Sequence, residues 1–351
     1  MKIPATMRGV RLTGHGDVDK LELRNDIPLP DIQASDVLIH VAAAGVNNTD
    51  INTRTGWYSK SQSDTDDAGW TGDAIQFPRI QGIDVCGRIV AVGADISEDR
   101  MGERVLIEPC IREAGGRLLE QPWFLGSECD GGFAEYTAVA ARHAYRVESK
   151  LTDAELASFP CSYSTAENLL TRTVVRSNDT VLITGASGGV GSAAIQLARA
   201  RQATVLAITS PSKSAEILKL GAEQTFDRDA PIDEILGHNS VDVVIDLVAG
   251  NQFPRLLNVL RPGGRYGVAG AIGGPLVELD VRTVYLKDLS MFGCTALDPD
   301  VFANLIRHIE GETVSPLVAE TYPLEQIVDA QTAFITKNHV GKIVLTVATD
   351  T

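Results

Sequence analysis

Residues Thr180 to Gly191 read TVLITGASGGVG, and the helix-forming run SAAIQLARA follows at once. A buried apolar strand that runs into a glycine turn and then a helix restricts the possible folds more than any other stretch of this chain. Within Ala186-Ser187-Gly188-Gly189-Val190-Gly191, Gly188 lets the main chain approach a pyrophosphate and Gly191 lets the helix lie close on the strand. The helix amino terminus adds oriented N–H groups and a positive dipole end. The first glycine of the usual fingerprint is replaced by Ala186. Because strand, turn and helix come in the required order, the segment predicts dinucleotide binding over a purely structural turn.

The pattern around this segment extends the prediction. After it come ATVLAIT, a helix at Ser212 to Leu220, VDVVIDLV at Val241 to Val248 and GGRYGVAG at Gly263 to Gly270. Strands alternating with short helices imply a parallel, doubly wound sheet. From Met1 to about Lys150 the chain is instead mainly β, with strands expected at Val37 to Val46, Gly87 to Gly93, Arg104 to Pro109 and Phe133 to Val139. Beyond Cys294 a helix at Pro299 to Glu310 leads to a last strand, Lys342 to Val347, read as a return to the first domain. The expected domains are therefore 1–151, 152–296 and a returning 297–351. Trp57 to Gln76 and Cys110 to Gly132 read as loops, the second because AGG and DGG break regular structure.

Charge narrows the partners. Lys and Arg number 31 against 46 Asp and Glu, a net charge of −15 that repels phosphate backbones and anionic lipid alike. Nucleic acid and membrane are excluded as expected partners. No apolar run reaches the roughly 20 residues of a membrane helix, and MKIPATMRGV lacks a secretory apolar stretch, so a cytoplasmic protein is expected. The five cysteines are scattered without any C-x-x-C, against both a disulfide framework and a cysteine-rich zinc site.

The residue after the second strand of the doubly wound half is Thr209, where NAD-preferring proteins place an acid for the ribose 2′-hydroxyl. Thr209, Ser210 and Lys213 instead offer hydroxyls and a cation suited to a 2′-phosphate, so NADP(H) is the expected cofactor. The competing reading is that Lys213 is a solvated lysine at a helix start.

With these residues in view, the chain resembles the medium-chain dehydrogenase/reductase superfamily, and within it the quinone oxidoreductases. The resemblance runs through AAGVNNTDINTRTGWY, FPRIQGIDVCGRIVAVG, DGGFAEYTAV, FPCSYSTAENLL, the phosphate loop, LRPGGRYGVAG, YLKDLSMFG and VGKIVL, in that order along nearly the whole chain. It implies an α/β protein with a GroES-like β domain plus a Rossmann doubly wound parallel-sheet domain. Thr165, Ala269, Gly270 and Lys342 are then implied as cofactor contacts. A homodimer is implied through an edge strand matching Leu289 to Thr295.

Zinc-dependent members of that superfamily hold a catalytic metal on Cys, His and Cys. The first position is Asn47 here, the histidine of the G-H-E segment is assigned to Gln81, and the third is Cys161. One thiol with two amides is a poor zinc site, and the lobe from Cys110 to Cys129 has two cysteines where relatives carry four. No metal is expected, and the six histidines read as surface or satisfied core residues.

Tyr58 is the leading catalytic candidate, because the chain also resembles enoyl-thioester reductases in which a tyrosine after N-x-x-D-I-N donates a proton. A phenol can donate at neutral pH. The alternative is an aromatic wall of the substrate pocket. Asn47 is the second candidate, as an amide donor to a carbonyl oxygen, whereas Asp50 reads as a structural turn residue. Trp70 either stacks on a flat substrate or packs on its own loop, and Trp57 to Gln76 is a candidate lid. The expected activity is NADPH-dependent reduction of a quinone or an α,β-unsaturated carbonyl compound. The alternatives are an NADP-dependent alcohol dehydrogenase and a nucleotide-binding protein with little turnover.

Overall fold

The computed structural model of the protein describes residues 3–60 and 68–347. The chain divides into two units, Met1–Cys161 with Pro316–Thr351, and Ser162–Ser315. In the first unit the central strand is β1 (Asp36–Val46), eleven residues that are apolar apart from Asp36 and His40. It pairs antiparallel with Cys86–Val92 and with Tyr136–Ala140, so both of its edges are hydrogen bonded. Val37, Ile39 and Val41 from this strand join Ile89, Val105, Ile107 and Phe133 in one core. Burial of this kind contributes about 25 cal/mol per Å² of apolar surface. Directly after β1 comes helix α1 (Asn48–Thr55), which Gly56 ends in the left-handed conformation.

One expectation fails in this unit. Cys110 to Gly132 is not all loop, because Cys110–Ala114 and Arg117–Phe124 pair as an antiparallel hairpin. Gly115 and Gly116, read as breakers, sit at φ 57° and 70°. Two consecutive residues of positive φ are what a two-residue hairpin turn requires.

The second unit begins in helix α2 (Pro160–Arg172), which straddles the boundary. Its sheet has strands β2 (Thr180–Ile183), β3 (Thr204–Ile208), β4 (Gln224–Phe226), β5 (Val241–Asp246), β6 (Leu260–Val268) and β7 (Ser290–Gly293). The order is β4-β3-β2-β5-β6-β7 and every pair is parallel. Strand order reverses at β2, the point where doubly wound sheets open a crevice for ligands. Helix α3 (Gly189–Ala200) follows β2 directly.

Helix α4 (Val301–Glu310) belongs to this unit and not to the returning segment, so the expected boundary near 296 moves to 315. It buries Val301, Phe302, Leu305 and Ile306. Asn168 on α2 also ties the segment down, donating to Ala296 O at 3.1 Å and accepting from Asp298 N at 3.1 Å. The chain then returns to the first unit, where strand β8 (Lys342–Thr346) pairs antiparallel with β1 through Ile343 and Val46. Among the described residues no helix is long and apolar enough to cross a membrane.

Candidate active site and nucleotide site

The nucleotide-binding candidates gather at the carboxyl ends of the parallel strands of the second unit. Gly185 after β2 takes φ 60°, so the tight-turn glycine is Gly185, one residue before the expected place. Ala186 is fully buried and its N–H donates to Ile208 O at 3.1 Å. It shapes the loop and has no donor left for a phosphate. Gly188 caps α3, and the first-turn amides of Gly189, Val190 and Gly191 precede Ser192, whose N–H donates to Gly188 O at 2.9 Å. A Cβ on Gly191 would stand 2.4 Å from Gly185 O, which makes glycine obligatory there. Ser187 is half-buried in the same turn.

Thr209, at the end of β3, borders a cavity of about 280 Å³ with Ser210, Ser214, Thr225 and Asp227. Thr209 is 6% exposed and its buried Oγ1 has no hydrogen-bond partner among the described residues. Ser214 and Thr225 bond each other at 2.5 Å. Burial and then the Arg228 cation pull the Lys213 ammonium below the usual lysine range. Arg228 is a residue the sequence reading missed, since nothing in its local pattern distinguishes it from other surface arginines. Ala269 and Gly270 follow β6, where Ala269 N donates to Asp246 O at 3.3 Å. Thr165 is half-buried on α2.

Asp246 fixes this end of the sheet and was also missed. It accepts from Thr184 Oγ1 and Tyr266 OH, both at 2.6 Å, and from the N–H groups of Val248 and Ala249. A wholly buried carboxylate with four donors is satisfied, and it holds the turn after β5 in place.

A separate cluster lies inside the first unit. Asn47 caps α1, with its N–H on Asp50 Oδ2 at 2.8 Å. Its amide nitrogen donates to Asp84 Oδ2 at 2.8 Å and toward Gly45 O at 3.3 Å, and its amide oxygen accepts from Lys342 Nζ. Both ends of the amide are thus engaged internally, so Asn47 is not placed as the expected donor to a substrate. Lys342 likewise departs from its expected role as a cofactor contact. It is 3% exposed and donates to Asp84 Oδ2 at 2.7 Å. Asp84 also accepts from Cys161 N at 2.6 Å.

Asp50 is buried and accepts from Gly82 N at 3.2 Å, while Gln81 Nε2 donates to Asp50 O at 2.8 Å. Burial raises the Asp50 carboxyl to about 7, with Asp84 adding to the rise, against the Asn47 N–H bond and the Lys342 charge. Gln81 Oε1 is buried without a partner among the described residues.

Tyr58 follows α1, its hydroxyl 3.5 Å from Asn52 Nδ2. Burial pushes its phenol well above the usual tyrosine range, against hydrogen bonding from Asn52 and Thr49. The ring lies 4.8 Å from Trp70, which stacks on Phe124 at 4.5 Å. Trp70 therefore packs on Tyr58 of its own loop and on Phe124 of the hairpin. The candidate lid, Trp57 to Gln76, includes residues 61–67, which lie outside the described residues.

The expected metal positions can be tested on this geometry. Gly82-Ile83-Asp84 lines up with G-H-E so that the histidine position falls on Ile83, a 2% exposed core residue, and not on Gln81. The positions thus present an amide, an alkyl chain and a thiol raised to about 12 by burial and Asp84, with the Lys342 ammonium bonded among them. Zinc needs imidazole, thiolate or carboxylate ligands facing one point, and these residues do not fit it. Among the described residues no group of three or more His, Cys, Asp or Glu side chains could hold a metal ion. His143 is a satisfied core histidine, with Nδ1 on Glu108 at 2.8 Å and Nε2 accepting from Arg112 N at 3.0 Å.

Comparison with known proteins agrees with this architecture. Residues 33–149 match the alcohol dehydrogenase GroES-like domain and 189–311 match the zinc-binding dehydrogenase family. The chain is 31% identical to the quinone oxidoreductase of Homo sapiens over 353 residues, covering 97% of each. It is 29% identical to 2-methylene-furan-3-one reductase of Solanum lycopersicum, covering 98% of this chain and 80% of that one. Among solved structures, a provisionally named alcohol dehydrogenase from Sinorhizobium meliloti 1021 has a TM-score of 0.90 at 44% identity, covering 98% and 97%. A GroES-like domain with a parallel nucleotide-binding sheet defines a nicotinamide-dependent oxidoreductase class. The chain belongs to the medium-chain dehydrogenase/reductase superfamily, on its quinone oxidoreductase-like side.

Proposed function

We propose that the protein is an NADPH-dependent reductase of quinones or α,β-unsaturated carbonyl compounds that works without zinc. The observation that carries this reading is the Lys342 ammonium bonded to Asp84 and Asn47 where zinc-dependent relatives keep metal ligands. The likeness to a quinone oxidoreductase and to an enone reductase supports the substrate class. A bound nicotinamide supplies hydride chemistry, so the chain's own task is to hold the cofactor, place the acceptor and stabilise developing negative charge.

Ser187 and the first-turn amides of α3 are suited to the pyrophosphate, with Thr165, Ala269 and Gly270 as further cofactor contacts. Thr209, Ser210 and Lys213, joined by Arg228, are suited to the 2′-phosphate. Tyr58 remains protonated at neutral pH because burial disfavours the phenolate, so it can donate to an oxyanion or enolate. Following NADPH oxidation with quinones, enals and enoyl thioesters, and NADP⁺ reduction with simple alcohols, in parallel tests the assignment. Oxidation with the first three classes and stoichiometric zinc absent from the active protein is the expected result. Turnover confined to alcohols, with one zinc per chain, would overturn it and favour the second reading, an alcohol dehydrogenase, which the 44% identical structure supports.

A homodimer is part of the same reading. Strand β7 ends the sheet, and Leu276, Tyr285, Leu286 and Met291 near it are exposed. Pairing β7 with that of a second copy would cover an open edge. Light scattering should give about twice the 37.5 kDa chain mass.

A further inference from the structure

The cluster in the first unit holds a lysine that the proposed chemistry leaves unused. A buried ammonium persists only beside anionic or strongly polar partners, and Lys342 has Asp84 and the Asn47 amide oxygen. Asn47 is the cap of α1, and α1 carries Asn52, whose Nδ2 lies 3.5 Å from the Tyr58 hydroxyl. At the far end of α1, Trp57 N donates to Asn52 O at 2.9 Å, which fixes the exit of the chain into Tyr58. Contacts thus run without a gap from the ammonium through Asn47 and α1 to the phenol.

We propose that Lys342 is a positioning residue, an internal cation around which the start of α1, the Gln81–Asp84 segment and Cys161 are assembled, and that through Asn47 it places the Tyr58 hydroxyl. Zinc-dependent members of the superfamily carry their three metal ligands at positions that fall in these same three segments. In this chain the cation is part of the protein, and it is aimed at the helix cap and not at a substrate. The inference about α1 stands on the cluster geometry, whereas its effect on turnover rests on the function proposed above.

Three variants test it. Lys342→Met leaves Asp84 buried and unpaired, so it should unfold at a clearly lower temperature. Lys342→Met with Asp84→Asn removes that charge and should recover most of the loss. If Lys342 positions α1, amides of residues 48–58 should still exchange about tenfold faster in the double variant, while those of 180–208 stay unchanged. Its kcat should be about 10- to 100-fold lower, the cost of a small misplacement, with NADPH affinity unchanged. Asn47→Ser retains a helix cap but removes the amide oxygen that Lys342 holds, and it should show the same exchange and kcat pattern with the Lys342–Asp84 pair intact. Wild-type exchange at 48–58 in either the double variant or Asn47→Ser would overturn the proposal and leave a plain structural ion pair. If the wild-type protein reduces no acceptor, the functional reading fails while the exchange comparison still decides the role of Lys342.

Discussion

The two candidate sites are built from different materials. At the nucleotide loop the chemistry is main chain, with Gly185 in the left-handed region, Gly191 against Gly185 O and the open amides of the first turn of α3. Around Tyr58 it is side chain, with Asn47, Asp50, Asp84, Lys342 and Asn52 each holding another. A backbone site spreads its binding over many equivalent N–H groups, so losing one side chain costs little. A side-chain network in a low-dielectric interior behaves as a unit, and removing a member strands its partners. The first kind should therefore survive substitutions that disable the second.

The largest effect is expected at Tyr58. Tyr58→Phe removes one hydroxyl and keeps the ring against Trp70. Turnover with the best enone or enoyl acceptor should fall by about 10² to 10⁴, the range for one acid or oxyanion donor. The loss should be smaller with a quinone, which can take its protons from water, and NADPH affinity should hardly move. Unchanged turnover with all acceptors would make Tyr58 a wall of the pocket.

Stability gives the next test. Asp84→Ala strands the Lys342 ammonium and leaves the Cys161 N–H without its acceptor. Removing one partner of a buried pair costs about 3 to 5 kcal/mol, measurable by denaturant unfolding. A loss under about 1 kcal/mol would mean that the cluster is solvated and that the contrast between the sites is overstated.

Asp50 predicts a pH dependence whose sign is fixed. Its carboxyl is raised from the ordinary value of 3.8 to about 7, so the folded state holds a proton that the unfolded state releases in that window. Stability from this group is complete below pH 4, declines as pH rises to about 7 by up to about 1.4 kcal/mol per unit, and is level above. Asp50→Asn should remove that slope from the unfolding free energy. An identical slope in the variant would show that Asp50 is ionised throughout.

The same difference in materials decides what the sequence made legible. A glycine loop between strand and helix is contiguous, so strand, glycines and helix announce it within twelve residues, and the structure shifts the tight-turn position from Ala186 to Gly185. The polar cluster joins Asn47 to Asp84 across 37 residues, Asp84 to Cys161 across 77 and Lys342 to Asp84 across 258. No local pattern carries such a network. Resemblance alone therefore assigned Lys342 to the cofactor and Asn47 to the substrate, while in the fold the two bond to each other. The hairpin at Cys110–Phe124 was hidden for a related reason, since glycines that break helices also make hairpin turns.

The smallest effect should be at the 2′-phosphate subsite. Lys213 has burial and the Arg228 cation against it, with Glu216 acting the other way, and a 2′-phosphate would add to that compensation. Thr209 offers an unpaired hydroxyl in the adjoining cavity, where an NAD-specific site would present an acid at this position. Asp227 lines the same cavity and opposes a phosphate, which limits how strong the preference can be. A charge-assisted bond is worth about 1.5 to 3 kcal/mol, so NADPH should bind roughly ten- to a hundredfold more tightly than NADH. Lys213→Ala should remove most of that preference by weakening NADPH alone, because NADH has no 2′-phosphate to lose contact with. Titration calorimetry with both cofactors checks this. Equal affinities in the unmodified protein would mean that Asp227 cancels the two cations. An undiminished preference after Lys213→Ala would instead assign the phosphate to Arg228.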